Sequence, residues 1–228
     1  MHEMVSPTPQ PALVPQRTRL SRDERMEQTL GVAHLLFAEH GYASVTMDEI
    51  ATAVGVTKPL LYNYFGNKEG LYTACMERAG DALTATVGHA VTVAASPGDA
   101  LGAGVRAFFA FLDHDRAAWA VLFDETLPRG SGVADRIAEY RWRIAELVAG
   151  SMLAQLPKPR RDAARVEVEA LSTALLGASE ALARWWLRTE ALSADAAAEL
   201  LIATVEPGLR SRSALPASPS PEEGTRPR

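Results

Sequence analysis

Between Ser21 and Gly66 the chain carries three helix-start signals and three glycine stops, which leaves room only for a string of short helices. Ser21 and Glu24 have the spacing of a capping box, in which hydroxyl and carboxylate satisfy the free N–H groups of a helix start, and Thr46 and Glu49 repeat it. Thr57 takes the cap position of a third helix, with Pro59 in the first turn, where a missing N–H costs little. Gly41, Gly55 and Gly66 supply the stops. Apolar residues recur at helical spacing between them: Met26, Leu30, Ala33 and Phe37; then Met47, Ile50, Ala51 and Val54; then Leu61 and Phe65, one turn apart.

The same period continues downstream. Asn67 caps a long fourth helix running to about Val93, and "SPGD" starts another with Pro97 at its first helical position. "LPRGSG" from Leu127 and "LPKPR" from Leu156 mark two breaks, with helices expected over 110–126, 133–155, 161–189 and 194–209. No β-branched alternation interrupts the pattern, so the fold class is all-α. Four segments emerge: a disordered arm over 1–19, a three-helix unit over 20–66, a larger helical body over 67–210 and a Pro- and Ser-rich disordered tail over 211–228.

Composition narrows the functional classes. The 228 residues are 47% hydrophobic without a long apolar run, which predicts a soluble protein with no membrane partner. The opening "MHEMVSPTPQPALVPQ" is read as a proline-rich tail, not a signal peptide, which places the chain in the cytoplasm. The single cysteine, Cys75, forms no internal disulfide and has no metal-like neighbours; a small helix residue is the simpler account, a redox sensor the sharper one. His34, His40, His89 and His114 form no metal pattern, and no cofactor is expected. A net charge of -5 weighs against phosphate binding only if the charge is evenly spread.

Two short capped helices joined at Gly55 are the pattern of a helix-turn-helix unit, whose second helix enters the DNA major groove. On that helix Leu61 and Phe65 point inward, Pro59, Leu60 and Asn63 outward, and Tyr62 and Tyr64 lie on the flanks. A helix so short cannot bury every ring, which favours the tyrosines as contacts over the tyrosines as core.

The stretch "GVTKPLLYNYFGNKEGL", with "FAEHGYASVTMDEIATAV" before it, closely resembles the DNA-binding domain of the tetracycline-repressor (TetR) family over residues 20 to 75. The resemblance implies an N-terminal helix-turn-helix DNA-binding domain followed by a helical effector-binding and dimerisation domain. It implies phosphate contacts at Thr46, Thr57, Tyr62, Tyr64 and Lys68, and groove-facing positions at Lys58, Pro59, Leu60 and Asn63, with Met47 and Asp48 near the edge. Arg17, Arg19 and Arg22, just upstream, form either a solvated basic stretch or an arm that orders on DNA.

The body is less informative. Phe108, Phe111, Trp119, Phe123 and Tyr140 are explained by a core, or by a pocket for a small, largely apolar effector. Glu180 and Arg184 have the order of an i, i+4 ion pair. Leu171, Ala174, Ala178, Leu182, Leu201 and Val205 suit close helix packing, and in the family the last two helices pair with their copies in a four-helix bundle. A homodimer would set two recognition helices about 34–36 Å apart on a palindromic operator. The expected function is a ligand-released transcriptional regulator, a repressor by type, binding double-stranded operator DNA. A regulator without effector is the alternative. An enzyme is weaker still, since "GAGVRA", "GNKEG" and "GASEA" each miss the spacing of a nucleotide loop or nucleophile elbow.

Overall fold

Gly41, Gly55 and Gly66 each have φ of 76°, a conformation that residues with a Cβ disfavour, and each kinks or ends a helix. The computed structural model describes residues 20–96, 98–124 and 132–214, and among them the chain forms nine helices and no strand. The first four are α1 (Arg22–Ser44), α2 (Met47–Val54), α3 (Lys58–Phe65) and α4 (Lys68–Thr92); then come α5 (Ala100–His114), α6 (Arg116–Leu122), α7 (Gly132–Ala154), α8 (Lys158–Thr189) and α9 (Ala194–Ala214).

Both capping boxes form, Ser21 with Glu24 and Thr46 with Glu49. Asn67 caps α4 by accepting from the Gly70 N–H at 2.8 Å. The turn between α3 and α4 is so tight that a Cβ on Gly70 would collide with the Phe65 carbonyl. Helix α4 is the spine of the molecule. Leu71, Tyr72, Cys75, Met76, Ala79, Leu83 and Val87 are all buried along it, and it packs against α1, α5, α6 and α7. Where it crosses α7, Gly80 lies under the Tyr140 ring, and a Cβ there would come within 2.7 Å of it.

Several helix ends differ from expectation. Helix α5 starts at Ala100, so Pro97 precedes it; Pro97 itself lies outside the described residues, as does most of "LPRGSG". The helix expected over 110–126 is broken at Asp115, whose carboxylate accepts from Ala118 N–H and so starts α6. Helix α8 begins at Lys158, three residues early, because Pro157 and Pro159 fit the cap and first turn of a helix. Helix α9 runs on to Ala214 with Pro207 inside it, so 211–214 are helical where a disordered tail was expected. The arm expected over 1–19 and the tail beyond 214 lie outside the described residues.

Candidate nucleic-acid interface and effector cavity

Helix α2 presses Met47, Ile50, Ala51 and Val54 inward, and Gly55, in the left-handed conformation, turns the chain by donating to the Ala51 and Thr52 carbonyls. Helix α3 then buries Leu61 completely. Phe65, expected in the core, is only half-buried, because α3 rests on its neighbours along a single edge. Lys58, Pro59, Tyr62 and Asn63 are exposed, and Leu60 and Tyr64 are half-buried. Thr57 is exposed and makes no capping bond. Met47, expected near the groove edge, is instead buried against the core.

Several of these side chains already have partners. The Thr46 hydroxyl donates to Glu49 Oε2 at 2.8 Å and accepts from the Glu49 N–H, so its one proton is held inside the capping box. The hydroxyl and the Thr46 N–H, which donates to the same Glu49 oxygen at 2.7 Å, keep that carboxyl below its ordinary value. Lys68 donates to the Ala43 carbonyl at 3.2 Å, with its ammonium 4.6 Å from the centre of the Tyr42 ring. Arg22 lies 5.5 Å over Tyr64. Asp48 meets the Lys58 ammonium at 2.7 Å. Spacing found the Thr46–Glu49 pair but not the contacts of Lys68, Arg22 and Asp48, because each of those joins different helices.

The seam between the short helices and the body carries a set of part-buried polar contacts beside the hydrophobic core. His34 Nε2 is 3.2 Å from Asp115 Oδ1, at the start of α6. At the other end of α6, the Tyr72 hydroxyl donates to the Val121 carbonyl at 3.0 Å, and Asp124 accepts from the Tyr42 N–H. Burial and the Asp124 carboxylate push the Tyr72 phenol upward. Phe37, Tyr42 and Tyr72 stack edge-on or tilted beside them. Cys75 is fully buried and its thiol is pushed up to about 12 by desolvation, which leaves no reactive thiolate at neutral pH.

A cavity of about 30 Å³ lies between α4, α5, α7 and α8. Its walls are Val87 and Val91, Leu101, Val105 and Phe108, Ile144 and Val148, and Leu175 and Leu176. Ser179 contributes a hydroxyl already donated to the Leu175 carbonyl, whereas the Ser151 hydroxyl is buried without a partner. Of the expected pocket residues only Phe108 lines it. Phe111 is half-buried beside the core; Trp119 and Phe123 stack on one another at 4.1 Å on α6; and Tyr140 donates to Asp81 at 2.8 Å under Gly80. Aromatic spacing along a helix shows that a ring is inward, not which gap it faces.

Glu180 also departs from expectation. It pairs with Arg141 of α7, not with Arg184, because it points into the α7–α8 contact and is nearly buried. One of its oxygens has no partner, and burial raises its carboxyl above 4.5. Of the expected dimer residues, Leu201 is in the chain's own core, Leu171, Ala178, Leu182 and Val205 are half-buried, and Ala174 is exposed. The outward face of α8 instead runs Val166, Ala174, Gly177, Ala181 and Trp185, with Leu200 exposed on α9. Among the described residues no three His, Cys, Asp or Glu gather as a metal site, and no helix is long and apolar enough to cross a membrane.

Comparison with known proteins bears on both halves. Residues 30–75 match the family model for bacterial regulatory proteins of the tetR family, and residues 97–206 match that for the tetracyclin repressor-like C-terminal domain. The HTH-type transcriptional activator FasR of Mycolicibacterium smegmatis is 41% identical over 106 residues, 46% of this chain and 48% of that one. The chain spans about half the length of the first curated relatives it matches. A TetR-like regulator from Rhodococcus sp. RHA1 superposes with a TM-score of 0.70 at 29% identity, covering 84% of this chain and 99% of that one. The regulator FadR from Bacillus subtilis, solved with stearoyl-CoA, shares the fold at a TM-score of 0.68 and 16% identity, over 80% and 98% of the two chains.

Proposed function

Because the chain belongs to the TetR family of bacterial regulatory proteins, we propose that it is a cytoplasmic, ligand-responsive repressor that binds a palindromic operator as a homodimer. The observation that carries the reading is the surface of α3. An eight-residue helix with one buried anchor presents Lys58, Pro59, Tyr62 and Asn63 outward together, with Thr57 uncapped beside them. Such a helix has a single edge for the protein and the rest for a groove. Tyr62, Tyr64, Thr57 and Lys68 hold phosphates in this reading, and Lys58 and Asn63 read bases. Thr46 joins them only if Glu49 releases its hydroxyl. Arg22, set over Tyr64, is the described part of the basic arm; Arg17 and Arg19 lie outside the described residues.

The effector is a small apolar molecule, and an acyl chain suits the lining. FadR of B. subtilis was solved with stearoyl-CoA, which makes acyl thioesters the first class to test. A cavity of about 30 Å³ holds about two waters. An acyl chain therefore enters only by parting the helices around it. Val87 and Val91 of α4 form one wall, and the same 25-residue helix, about 37 Å long, starts at the recognition helix. Displacing that wall tilts α3 away from operator spacing, and release follows from differential affinity for the two states. The Ser151 hydroxyl is the polar handle for the guest.

Selection of bound sequences from random DNA, repeated with acyl-CoA thioesters of increasing length, tests the whole reading. A palindromic site at low salt and its loss with one chain-length class are expected. If no site is enriched, DNA recognition is refuted; an enriched site that no apolar ligand releases leaves a regulator without effector.

A further inference from the structure

Lys58 is the only charged residue of α3, and it opens the helix, at the end where the backbone dipole disfavours a cation. Asp48 reaches it from the first turn of α2, where the dipole favours a carboxylate. Both side chains are substantially exposed, 45% for Lys58 and 68% for Asp48, so the pair adds little to fold stability. Its placement gives it another use. It stands beside the apolar Pro59, on the side of the unit where Thr57, Tyr62 and Asn63 are also exposed.

A carboxylate brought up to DNA is repelled by phosphates, and its favourable partners in the major groove are amino groups: N4 of cytosine or N6 of adenine. Lys58 uses one of its three N–H donors on Asp48, and Asp48 Oδ2 takes that bond while its carboxylate keeps further acceptor capacity. The free groups of the pair thus form a cluster of donors next to an acceptor. The major-groove edge of a G·C pair presents the complement in one row: guanine N7 and O6 accept, and cytosine N4 donates. O6 and N4 are hydrogen-bonded to each other and so lie about 3 Å apart, close to the 2.7 Å between the two protein groups. An A·T pair presents acceptor, donor, acceptor and a methyl group, and leaves one lysine donor without its second acceptor.

Resting on the reading that α3 enters the major groove, we infer that Asp48 and Lys58 recognise one G·C base pair per half-site as a single unit. Lys58 donates to guanine N7 and O6, and Asp48 accepts from cytosine N4 of the same pair. Asp48 is then a specificity residue, and it also holds the flexible lysine in position before DNA arrives.

The test is selection from random duplex DNA with the full chain and the variants Asp48→Ala, Lys58→Met and Asp48→Asn, with thermal melting of each to show that all are folded. Wild type should enrich one G·C pair in each half-site. Asp48→Ala and Lys58→Met should both lose about tenfold discrimination at that pair and leave the other positions unchanged. Asp48→Asn should admit adenine there, since an amide pairs with adenine N6 and N7. Relaxation at two different positions by the alanine and methionine variants would overturn the single unit. A uniform gain in affinity on Asp48→Ala would make Asp48 a mere repulsion of phosphates, and unchanged selectivity would reduce the pair to a surface contact. If wild type enriches no sequence, the failure lies with DNA recognition itself and takes this inference with it.

Discussion

From Ser21 to Gly66, α1 and α2 start at side-chain capping boxes and α2 and α3 end at glycines of positive φ, whereas in the body α5 and α8 begin without any side-chain cap and are held by what they pack against. The short helices bury few large side chains: Leu61 for α3, Met47, Ile50 and Val54 for α2. The body packs Phe109 edge-on against both Phe108 and Trp186 and closes α4 onto α7 through Gly80. A small unit that must offer most of its surface to a partner cannot rely on burial, so local caps and left-handed glycines fix its geometry. The body relies on packing, which can rearrange, as the proposed opening around a guest requires.

The contrast can be broken by substitution. Phe109→Ala should cost the most, about 3–5 kcal/mol in chemical denaturation, because a fully buried ring leaves a cavity among the aromatic side chains. A loss under about 1 kcal/mol would show the body to be loosely packed. Gly70→Ala should cost about 1–3 kcal/mol, since the atom its Cβ meets is a backbone carbonyl that cannot rotate aside. Operator binding should fall with it, as the turn joining α3 to α4 carries any signal from the body. Thr46→Ala removes one capping box and should cost about 1 kcal/mol in melting experiments; no change would mean that packing, not the cap, holds α2.

Glu180 gives the body a pH dependence. Its carboxyl is raised on folding by burial, so the folded chain keeps the proton longer than the unfolded one. The resulting stability is full below the ordinary value of 4.5 and declines as pH rises through the folded value. Glu180→Gln should remove that decline, seen as a smaller fall in melting temperature between about pH 4 and pH 7; parallel curves for the two proteins would contradict it. The smallest effect on stability is expected at Tyr62. Tyr62→Phe should change it by less than about 0.5 kcal/mol yet weaken operator binding by about 1 kcal/mol, the worth of one hydrogen bond. Equal losses in folding and binding would return that ring to the core.

Much of residues 20–66 was legible because their signals are local. A hydroxyl and a carboxylate three residues apart, or a glycine after an apolar turn, act through bonds that close within one helical turn; α2 and α3 end at the expected glycines, whereas α1 only kinks at Gly41 and runs on to Ser44. The all-α class and the long fourth helix were legible for the same reason. The contact of Asp115 with His34 was not, since it joins residues 81 positions apart in the chain, and its capping of Ala118, though local, has no capping-box carboxylate to mark it. Glu180 satisfied a local ion-pair rule with Arg184 and turned to Arg141 instead, since burial against α7 offered a cation where solvent could not.

Periodicity and caps thus determined the all-α class, the ends of α2 and α3 and the exposure of Pro59, Tyr62 and Asn63 on α3, because each depends on neighbours within about four residues. Tertiary structure alone decided that Phe108, and not Phe111, Trp119, Phe123 or Tyr140, lines the cavity, and that Leu201 turns inward while Leu200 stays exposed. It also decided that Asp48 and Lys58 stand side by side at the mouth of α3. Those outcomes rest on the relative placement of helices, and a helix crossing is set by the fit of side chains from both partners, which neither segment carries by itself.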